Sequence, residues 1–137
     1  MLLGVLLVGR TQIMELSIVE ETGVLVVEGV PDQRLMTRTD DANLVLEACF
    51  SNKSRFALLY ATNLTDGFFD LSSGEAGAVL QKLRNYGVRL ALVCPAGSVQ
   101  FSTRFGEMVA EEQLRNHFRI FETRQAAREW LGTLARS

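Results

Sequence analysis

The stretch that decides the fold is residues 56–94, FALLYATNLTDGFFDLSSGEAGAVLQKLRNYGVRLALVC. It begins with a continuous apolar run at residues 56–60 and ends with a second run at residues 88–94, as expected for strands buried on both faces. The segment between them carries apolar residues at the i, i+3, i+4, i+7 spacing of an amphipathic helix: Ala76, Val79, Leu80 and Leu83. The stretch therefore predicts a strand–helix–strand unit of an α/β sheet.

The same alternation continues on both sides of this stretch. Residues 16–20 and 24–28 are β-rich and flank a turn, which predicts a hairpin, and residues 39–49 predict a helix. After residue 94, Ser102 or Thr103 can cap a helix, residues 118–121 form a short strand, and Thr123 caps a last helix. The predicted order is β-β-α-β-α-β-α-β-α, a mostly parallel sheet flanked by helices with an N-terminal hairpin.

Composition narrows the class of protein. The chain has 137 residues, 47% of them hydrophobic, which is enough for one domain with a core of its own. Its net charge of −2 gives no bulk basic excess, so we expect no nucleic-acid partner. Cys49 and Cys94 lie in apolar surroundings without a Cys-x-x-Cys spacing, which indicates buried free thiols and a cytoplasmic protein.

The N-terminal segment needs a separate interpretation. Its apolar run is shorter than the roughly 20 residues of a membrane-spanning helix, and Arg10 follows the run instead of preceding it as in a secretory signal. We therefore expect no membrane span and interpret residues 1–13 as an extension of a single domain at residues 14–137. The alternative is an extra strand that pairs with a sheet edge, in this chain or in a partner.

The candidate site is the segment that leads into the second helix. Ser72-Ser73-Gly74-Glu75 fits a capping box, with the Ser72 hydroxyl on the Glu75 amide and the Glu75 carboxylate on the Ser72 amide. Ser72 and Ser73 are also candidate phosphate acceptors, because a helix N-terminus tolerates added negative charge. The Asp70 carboxylate would repel a phosphate on either serine, so we expect phosphorylation to disrupt the local structure and not to order it.

The neighbouring aromatic pair suggests a binding surface. We expect one of Phe68 and Phe69 to fill the core and the other to line a pocket or a partner surface. The pocket would lie between this pair and the strand ends at Tyr60 and Cys94. The binding-surface candidates are Asn63, Thr65, Asp66, Phe68, Phe69, Asp70 and Gly74.

Known catalytic and metal-binding patterns do not match the sequence. His117 is the single histidine and is interpreted as an ordinary residue at a helix-to-strand junction, so we expect no zinc site, no cofactor and no catalytic set. An enzyme that uses Asp70 as a general base is the weakest hypothesis. The arginines near the C-terminus indicate solvated faces, or alternatively a surface for an anionic partner: Arg115, Arg119, Arg124 and Arg128.

A set of residues in register resembles the family called domain of unknown function 4180, which consists of small bacterial proteins. The resemblance covers roughly residues 14–134, and its central residues are Phe68-Phe69-Asp70-Leu71, Gly74, Ala76-Gly77, Leu80-Gln81-Lys82, Asn85-Tyr86 and Arg89-Leu90-Ala91, with Asp41-Ala42 and Asn63-Leu64 before them. The chain departs from the family at residues 112–115. The family's pattern implies a hydroxyl-bearing residue at position 73 more than at position 72.

More distantly, residues 70–74 and the element order resemble the anti-sigma-factor-antagonist (STAS) domains, which are phosphorylated on a serine at the start of this helix. The resemblance implies a STAS-type fold and partner switching. We thus expect a non-enzymatic regulatory module that docks a protein partner, switched by phosphorylation near residues 70–75. The alternative is a module that binds a small molecule or a lipid. The sequence leaves the oligomeric state open, and a homodimer is the commonest oligomer.

Overall fold

The structure is a computed structural model that describes residues 16–36 and 39–136. Within this part of the chain, five strands and four helices follow one another in the predicted order. The strands are β1 (Leu16–Glu21), β2 (Val24–Gly29), β3 (Phe56–Tyr60), β4 (Arg89–Val93) and β5 (Phe118–Phe121). The helices are α1 (Ala42–Ser51), α2 (Glu75–Asn85), α3 (Thr103–Leu114) and α4 (Arg124–Arg136). The interpretation of residues 1–13 as an extension lies outside the described residues.

All five strands form one sheet in the order β1-β2-β3-β4-β5. β1 and β2 pair antiparallel through a two-residue turn, whose Thr22 and Gly23 both have positive φ angles of 49° and 81°. β3 pairs parallel with β2 on one side and with β4 on the other, and β5 pairs parallel with β4. The parallel strands alternate with helices because a parallel connection has to cross over the sheet.

The helices cover both faces of the sheet. α1, α2 and α3 pack on one face, against strand residues such as Val27, Leu59 and Leu92. α4 packs on the other face, where Ala127, Trp130 and Leu131 contact the alternate strand residues Val24, Val26, Leu58, Ala91 and Val93. β2, β3 and β4 are therefore buried on both faces, which explains their continuous apolar sequences.

The caps of the last two helices are those that the sequence predicts. Ser102 Oγ accepts a hydrogen bond from the Phe105 amide at 3.1 Å, and Thr123 Oγ1 accepts one from the Ala126 amide at 3.1 Å. Cys49 and Cys94 are both free thiols and both buried, also as predicted. Burial raises the pKa of Cys49 to about 12, so this thiol stays protonated and unreactive at neutral pH.

The topology sorts the loops into two sets. The connections that follow the carboxyl ends of the parallel strands meet at one edge of the sheet, which we call the carboxyl edge. The connections that lead from a helix into the next strand meet at the opposite edge, the amino edge. Ligands of open α/β sheets bind outside the carboxyl ends of the strands, so the carboxyl edge is the first place to look for a site. Among the described helices, none has the length and apolarity that a membrane span requires.

Candidate functional site

The connection from β3 to α2 spans residues 61–74 and lies at the carboxyl edge. It contains three short 3₁₀ turns, Ala61–Asn63, Asp66–Phe69 and Leu71–Ser73. All the phosphorylation candidates and binding-surface candidates of the sequence lie in this connection. The structure divides these candidates into two groups. One group is buried and holds the connection in place, and the other is exposed on its outer surface.

Asn63 belongs to the buried group, so its prediction as a binding-surface residue is wrong. Its side chain is completely buried, and Oδ1 accepts a hydrogen bond from the Tyr60 amide at 2.7 Å. Nδ2 donates to the Val30 carbonyl at 2.8 Å and to the Gln33 carbonyl at 2.7 Å. The amide thus ties the end of β3 to the segment that follows β2. A side chain at Gly29 would overlap the Asn63 amide, which explains the glycine there.

The predicted capping box is also wrong. Glu75 does not reach back to the Ser72 amide, because its carboxylate accepts a hydrogen bond from the half-buried Thr65 hydroxyl. Ser73, not Ser72, supplies a hydrogen-bond acceptor to the first turn of α2. The Ser73 hydroxyl accepts a hydrogen bond from the Glu75 amide at 3.1 Å and donates one to the Gly67 carbonyl at 2.6 Å. Gly74 between them has a φ of 78°, which favours glycine. These bonds close residues 65–75 into a braced loop.

The exposed group consists of polar residues on the outside of this loop. Asp66, Asp70, Ser72, Ser73 and Gly74 are all exposed. Asp70 Oδ1 accepts a hydrogen bond from the Ser72 hydroxyl at 2.7 Å and from the Ser72 amide at 3.1 Å. The Ser72 hydroxyl therefore makes one hydrogen bond, to an exposed carboxylate, whereas the Ser73 hydroxyl makes two hydrogen bonds within the loop.

Phe68 and Phe69 are both buried, against the expectation that only one of them points inward. A 3₁₀ turn makes this arrangement accessible, because consecutive side chains are only about a third of a turn apart. The Phe68 ring packs on the rings of Phe105 and Phe118. The Phe69 ring is stacked on the Phe101 ring, with 5.9 Å between the two ring centroids. Phe101 is itself 42% exposed and so extends this aromatic cluster to the surface.

Phe101 is a site residue that the sequence analysis missed. A signal was present, because Phe101 comes directly before the N-cap Ser102 of α3, where an apolar residue often packs on the start of the helix. Five of the residues that present side chains or backbone to solvent at this edge lie around the aromatic cluster and the braced loop: Asp66, Asp70, Ser72, Gly74 and Phe101. We call them the carboxyl-edge surface.

The predicted pocket does not form from the predicted residues. Tyr60 packs with the core on the α4 face of the sheet, whereas Phe68 and Phe69 belong to the core on the opposite face. The three side chains therefore do not line a common cavity. A groove of about 750 Å³ instead lies between the hairpin and α4, with Glu21, Val24, Arg124 and Arg128 among its walls.

Four charged residues beside this groove form an ion-pair cluster. Arg124 bridges Glu28 at 2.7 Å and Glu21 at 2.9 Å, and Arg128 bridges Glu21 at 3.0 Å and Glu28 at 3.4 Å. The side chains of Glu28 and Arg128 are 8% and 9% exposed, so the interpretation of Arg128 as part of a solvated face is wrong, whereas the Arg124 side chain is 37% exposed. Because each charge has a partner of opposite sign, the cluster fastens α4 to the hairpin.

The cluster also affects nearby titrating groups. Hydrogen bonding by Arg124 lowers the pKa of Glu21, whereas burial raises the pKa of Tyr60 and the Glu28 carboxylate raises it further. Tyr60 is therefore held in its neutral form. Within residues 16–36 and 39–136, no group of three or more His, Cys, Asp and Glu side chains is placed to hold a metal ion.

Comparison with known proteins gives one positive result. Neither the search of curated proteins nor the search of solved structures returned a significant match. The family model described as domain of unknown function (DUF4180) matches residues 21–131, a range that begins at the end of β1 and reaches into α4. The match thus includes the braced loop and both layers of helices, and the chain belongs to the DUF4180 family.

Proposed function

We propose that the protein is a non-enzymatic, cytoplasmic binding module that docks a protein partner on its carboxyl-edge surface. The observation that carries this proposal is the combination of an exposed aromatic ring with a braced acidic loop. Phe101 presents its ring to solvent while it stacks on the buried Phe69, and Asp66 and Asp70 lie exposed on the same loop system. A rigid aromatic anchor surrounded by polar groups is the usual composition of a protein interface.

The charge at this edge indicates the kind of partner. The described connections of the carboxyl edge contain one cationic residue, Arg34, against six acidic residues: Asp32, Asp40, Asp41, Asp66, Asp70 and Glu122. We therefore expect a partner segment with Lys or Arg beside an apolar side chain that can pack on Phe101. The alternative of a small-molecule or lipid module loses its basis, because the residues proposed to line its pocket lie on two faces of the sheet.

Phosphorylation of Ser72 would regulate this docking. The hydrogen bonds support Ser72 over Ser73 as the acceptor, because the Ser73 hydroxyl is committed to the Gly67 carbonyl and the Glu75 amide. A phosphate on Ser72 would remove the hydroxyl proton that binds Asp70 and would add nearly two negative charges beside its carboxylate. We expect the loop to open and the partner to leave.

The STAS-type fold is part of the same proposal. It is supported by the N-terminal hairpin, by the parallel pairing of β2, β3, β4 and β5, and by the serines that precede α2. A cytoplasmic location is supported by the two buried free thiols. Both statements concern fold and compartment, and the function itself depends on the carboxyl-edge surface.

The proposal is tested by affinity capture from native cells with the wild-type chain and three variants. Phe101→Ala and Ser72→Glu should each reduce the captured partner about tenfold, because interface anchors carry most of the binding energy. Thr133→Glu is the matched control, since Thr133 is an exposed hydroxyl residue on α4, on the other face of the sheet. Equal capture by all four proteins would contradict the proposal, provided that thermal melts show all four to be folded.

A further inference from the structure

The amino edge carries a second concentration of charge, opposite in sign to the first. The connections that lead from a helix into a strand are residues 52–55, 86–88 and 115–117. Neither they nor the adjoining helix and strand residues at 84–85, 89 and 118–119 contain Asp or Glu. Together they hold six of the chain's 14 Lys and Arg residues: Lys53, Arg55, Arg84, Arg89, Arg115 and Arg119. The β1–β2 turn also reaches this edge and adds Glu20 and Glu21, of which Glu21 is paired with Arg124 and Arg128. The amino edge of a chain with a net charge of −2 therefore carries an excess of cations.

Four of these cations have no carboxylate partner. Arg84 pairs with Glu112 at 2.9 Å, and the Arg119 guanidinium lies 5.7 Å from the centre of the Phe121 ring. Within residues 16–36 and 39–136, the structure records no ion pair for Lys53, Arg55, Arg89 or Arg115. This differs from the cluster of Arg124 and Arg128, where both guanidinium groups are neutralised.

The three cationic segments are neighbours in space. The Arg89 amide donates to the Arg55 carbonyl at 2.9 Å, and the Leu90 amide donates to the His117 carbonyl at 2.9 Å. Burial lowers the pKa of His117, and the Arg84, Arg89 and Arg115 guanidinium groups lower it further, against the Glu112 carboxylate, which raises it. Its Nδ1 is buried without a hydrogen-bond partner in the described part of the chain.

Exposed apolar side chains lie beside these cations. Phe50 lies in the last turn of α1, Tyr86 follows α2 and Leu114 ends α3, so all three lie at the ends of helices that run toward the amino edge. They are 55%, 58% and 85% exposed, and Phe50 and Tyr86 contact each other edge-to-face at 5.5 Å. Large apolar residues with this exposure, next to unpaired charges, are typical of a protein-binding surface.

We propose that this amino-edge surface (Phe50, Lys53, Arg55, Tyr86, Arg89, Leu114 and Arg115) binds an acidic protein segment whose Asp or Glu residues alternate with apolar side chains. Charge complementarity selects the acidic residues, and the exposed apolar side chains select the others. A nucleic acid fits less well, because Phe50 and Tyr86 meet edge-to-face and are not arranged as parallel platforms for stacked bases. The proposal stands independently of docking at the carboxyl edge.

The test uses a fluorescein-labelled 12-residue peptide with Glu at alternate positions and Leu or Phe between them, measured by fluorescence anisotropy. The wild-type chain should bind it saturably, and Arg55→Glu/Arg115→Glu should bind about tenfold more weakly, because two attractive contacts become repulsive. Arg34→Glu/Arg104→Glu is the matched control: it makes the same change in net charge at two exposed arginines on the carboxyl-edge side of the sheet, away from the amino edge. It should bind within about twofold of the wild type.

A second readout comes from the single histidine of the chain. Bound carboxylates near Arg89 and Arg115 should offset their field, so the peptide should raise the pKa of His117 in an NMR titration. Leu114→Ala should weaken binding of the peptide, and a peptide with Ser in place of Leu and Phe should bind more weakly to the wild type.

Three results would overturn the proposal. One is equal binding by the two double variants. Another is saturable binding of a 12-residue oligothymidylate in place of the peptide, which would assign the surface to nucleic acid. The third is self-association in sedimentation velocity that Arg55→Glu/Arg115→Glu abolishes, which would assign the surface to a second copy of the chain.

Discussion

At the scale of single residues, Asn63 shows how one buried amide organises the carboxyl edge. It makes three hydrogen bonds that join β3 to the segment after β2, and its own carbonyl accepts from the Leu35 and Met36 amides at 2.9 Å. We expect Asn63→Ala to lower the free energy of unfolding by about 3 kcal/mol, since it leaves buried backbone groups unpaired. Asn85→Ala, at an exposed position of α2, should change it by less than about 0.5 kcal/mol in the same urea titration.

His117 gives a pH dependence whose sign follows from its lowered pKa. The unfolded chain takes up a proton near the ordinary value of 6.5, and the folded chain takes it up only at lower pH. Stability should therefore be independent of His117 above about pH 7.5 and should fall as the pH drops through 6.5 toward the folded pKa. His117→Gln should remove this part of the slope. An imidazole midpoint at or above 6.5 by NMR would refute the prediction.

At the scale of elements, the hairpin turn is a point of backbone strain. Thr22 is β-branched and has a φ of 49°, a conformation that asparagine or glycine adopts at lower cost. Thr22→Asn should stabilise the protein by about 0.5–1 kcal/mol, whereas Gly23→Ala, at a φ of 81°, should destabilise it by about 1 kcal/mol. Thermal unfolding of both variants measures these two changes in stability. If both variants were stabilised, or both destabilised, the account of the turn would be contradicted.

The attachment of α4 depends on unequal ion pairs. Glu28→Gln should cost about 2 kcal/mol, because it leaves the buried Arg128 and its neighbour Arg124 with Glu21 alone. Glu21→Gln should cost less than about 1 kcal/mol, since the Glu21 side chain is 43% exposed and its ion pairs are screened by salt. Urea unfolding at low salt and at high salt distinguishes the two variants. Only the loss of unfolding free energy caused by Glu21→Gln should become smaller at high salt, because only the exposed ion pairs are screened.

The elements were predictable from sequence to different degrees, for physical reasons. β3 and β4 are continuous apolar runs, and α2 has a clear helical apolar periodicity, so the local pattern was sufficient to predict all three. The loop before α2 was not predictable in detail, because Ser72, Ser73, Gly74 and Glu75 could form either a capping box or the observed bonds to Asp70, Gly67 and Thr65. Long-range partners such as Thr65 decide between these arrangements, and the sequence pattern does not contain them.

At the scale of the whole molecule, charge is divided between the two edges of the sheet. The sequence shows a modest net charge of −2, and only the topology brings Arg55, Arg89 and Arg115 together at one edge and Asp66 and Asp70 at the other. This separation follows from the parallel pairing, which gathers helix-to-strand connections at one edge and strand-to-helix connections at the opposite edge. The two proposed binding surfaces therefore lie at opposite edges of the sheet.

The most direct test of docking at the carboxyl edge is photo-crosslinking in native cells, with benzoylphenylalanine in place of Phe101. We predict a discrete higher-mass adduct that is lost when Ser72→Glu is added, and no such adduct from the same probe in place of Thr133, which lies on the other face of the sheet. The absence of an adduct at position 101, or an identical adduct at position 133, would contradict the assignment of a partner to the carboxyl-edge surface.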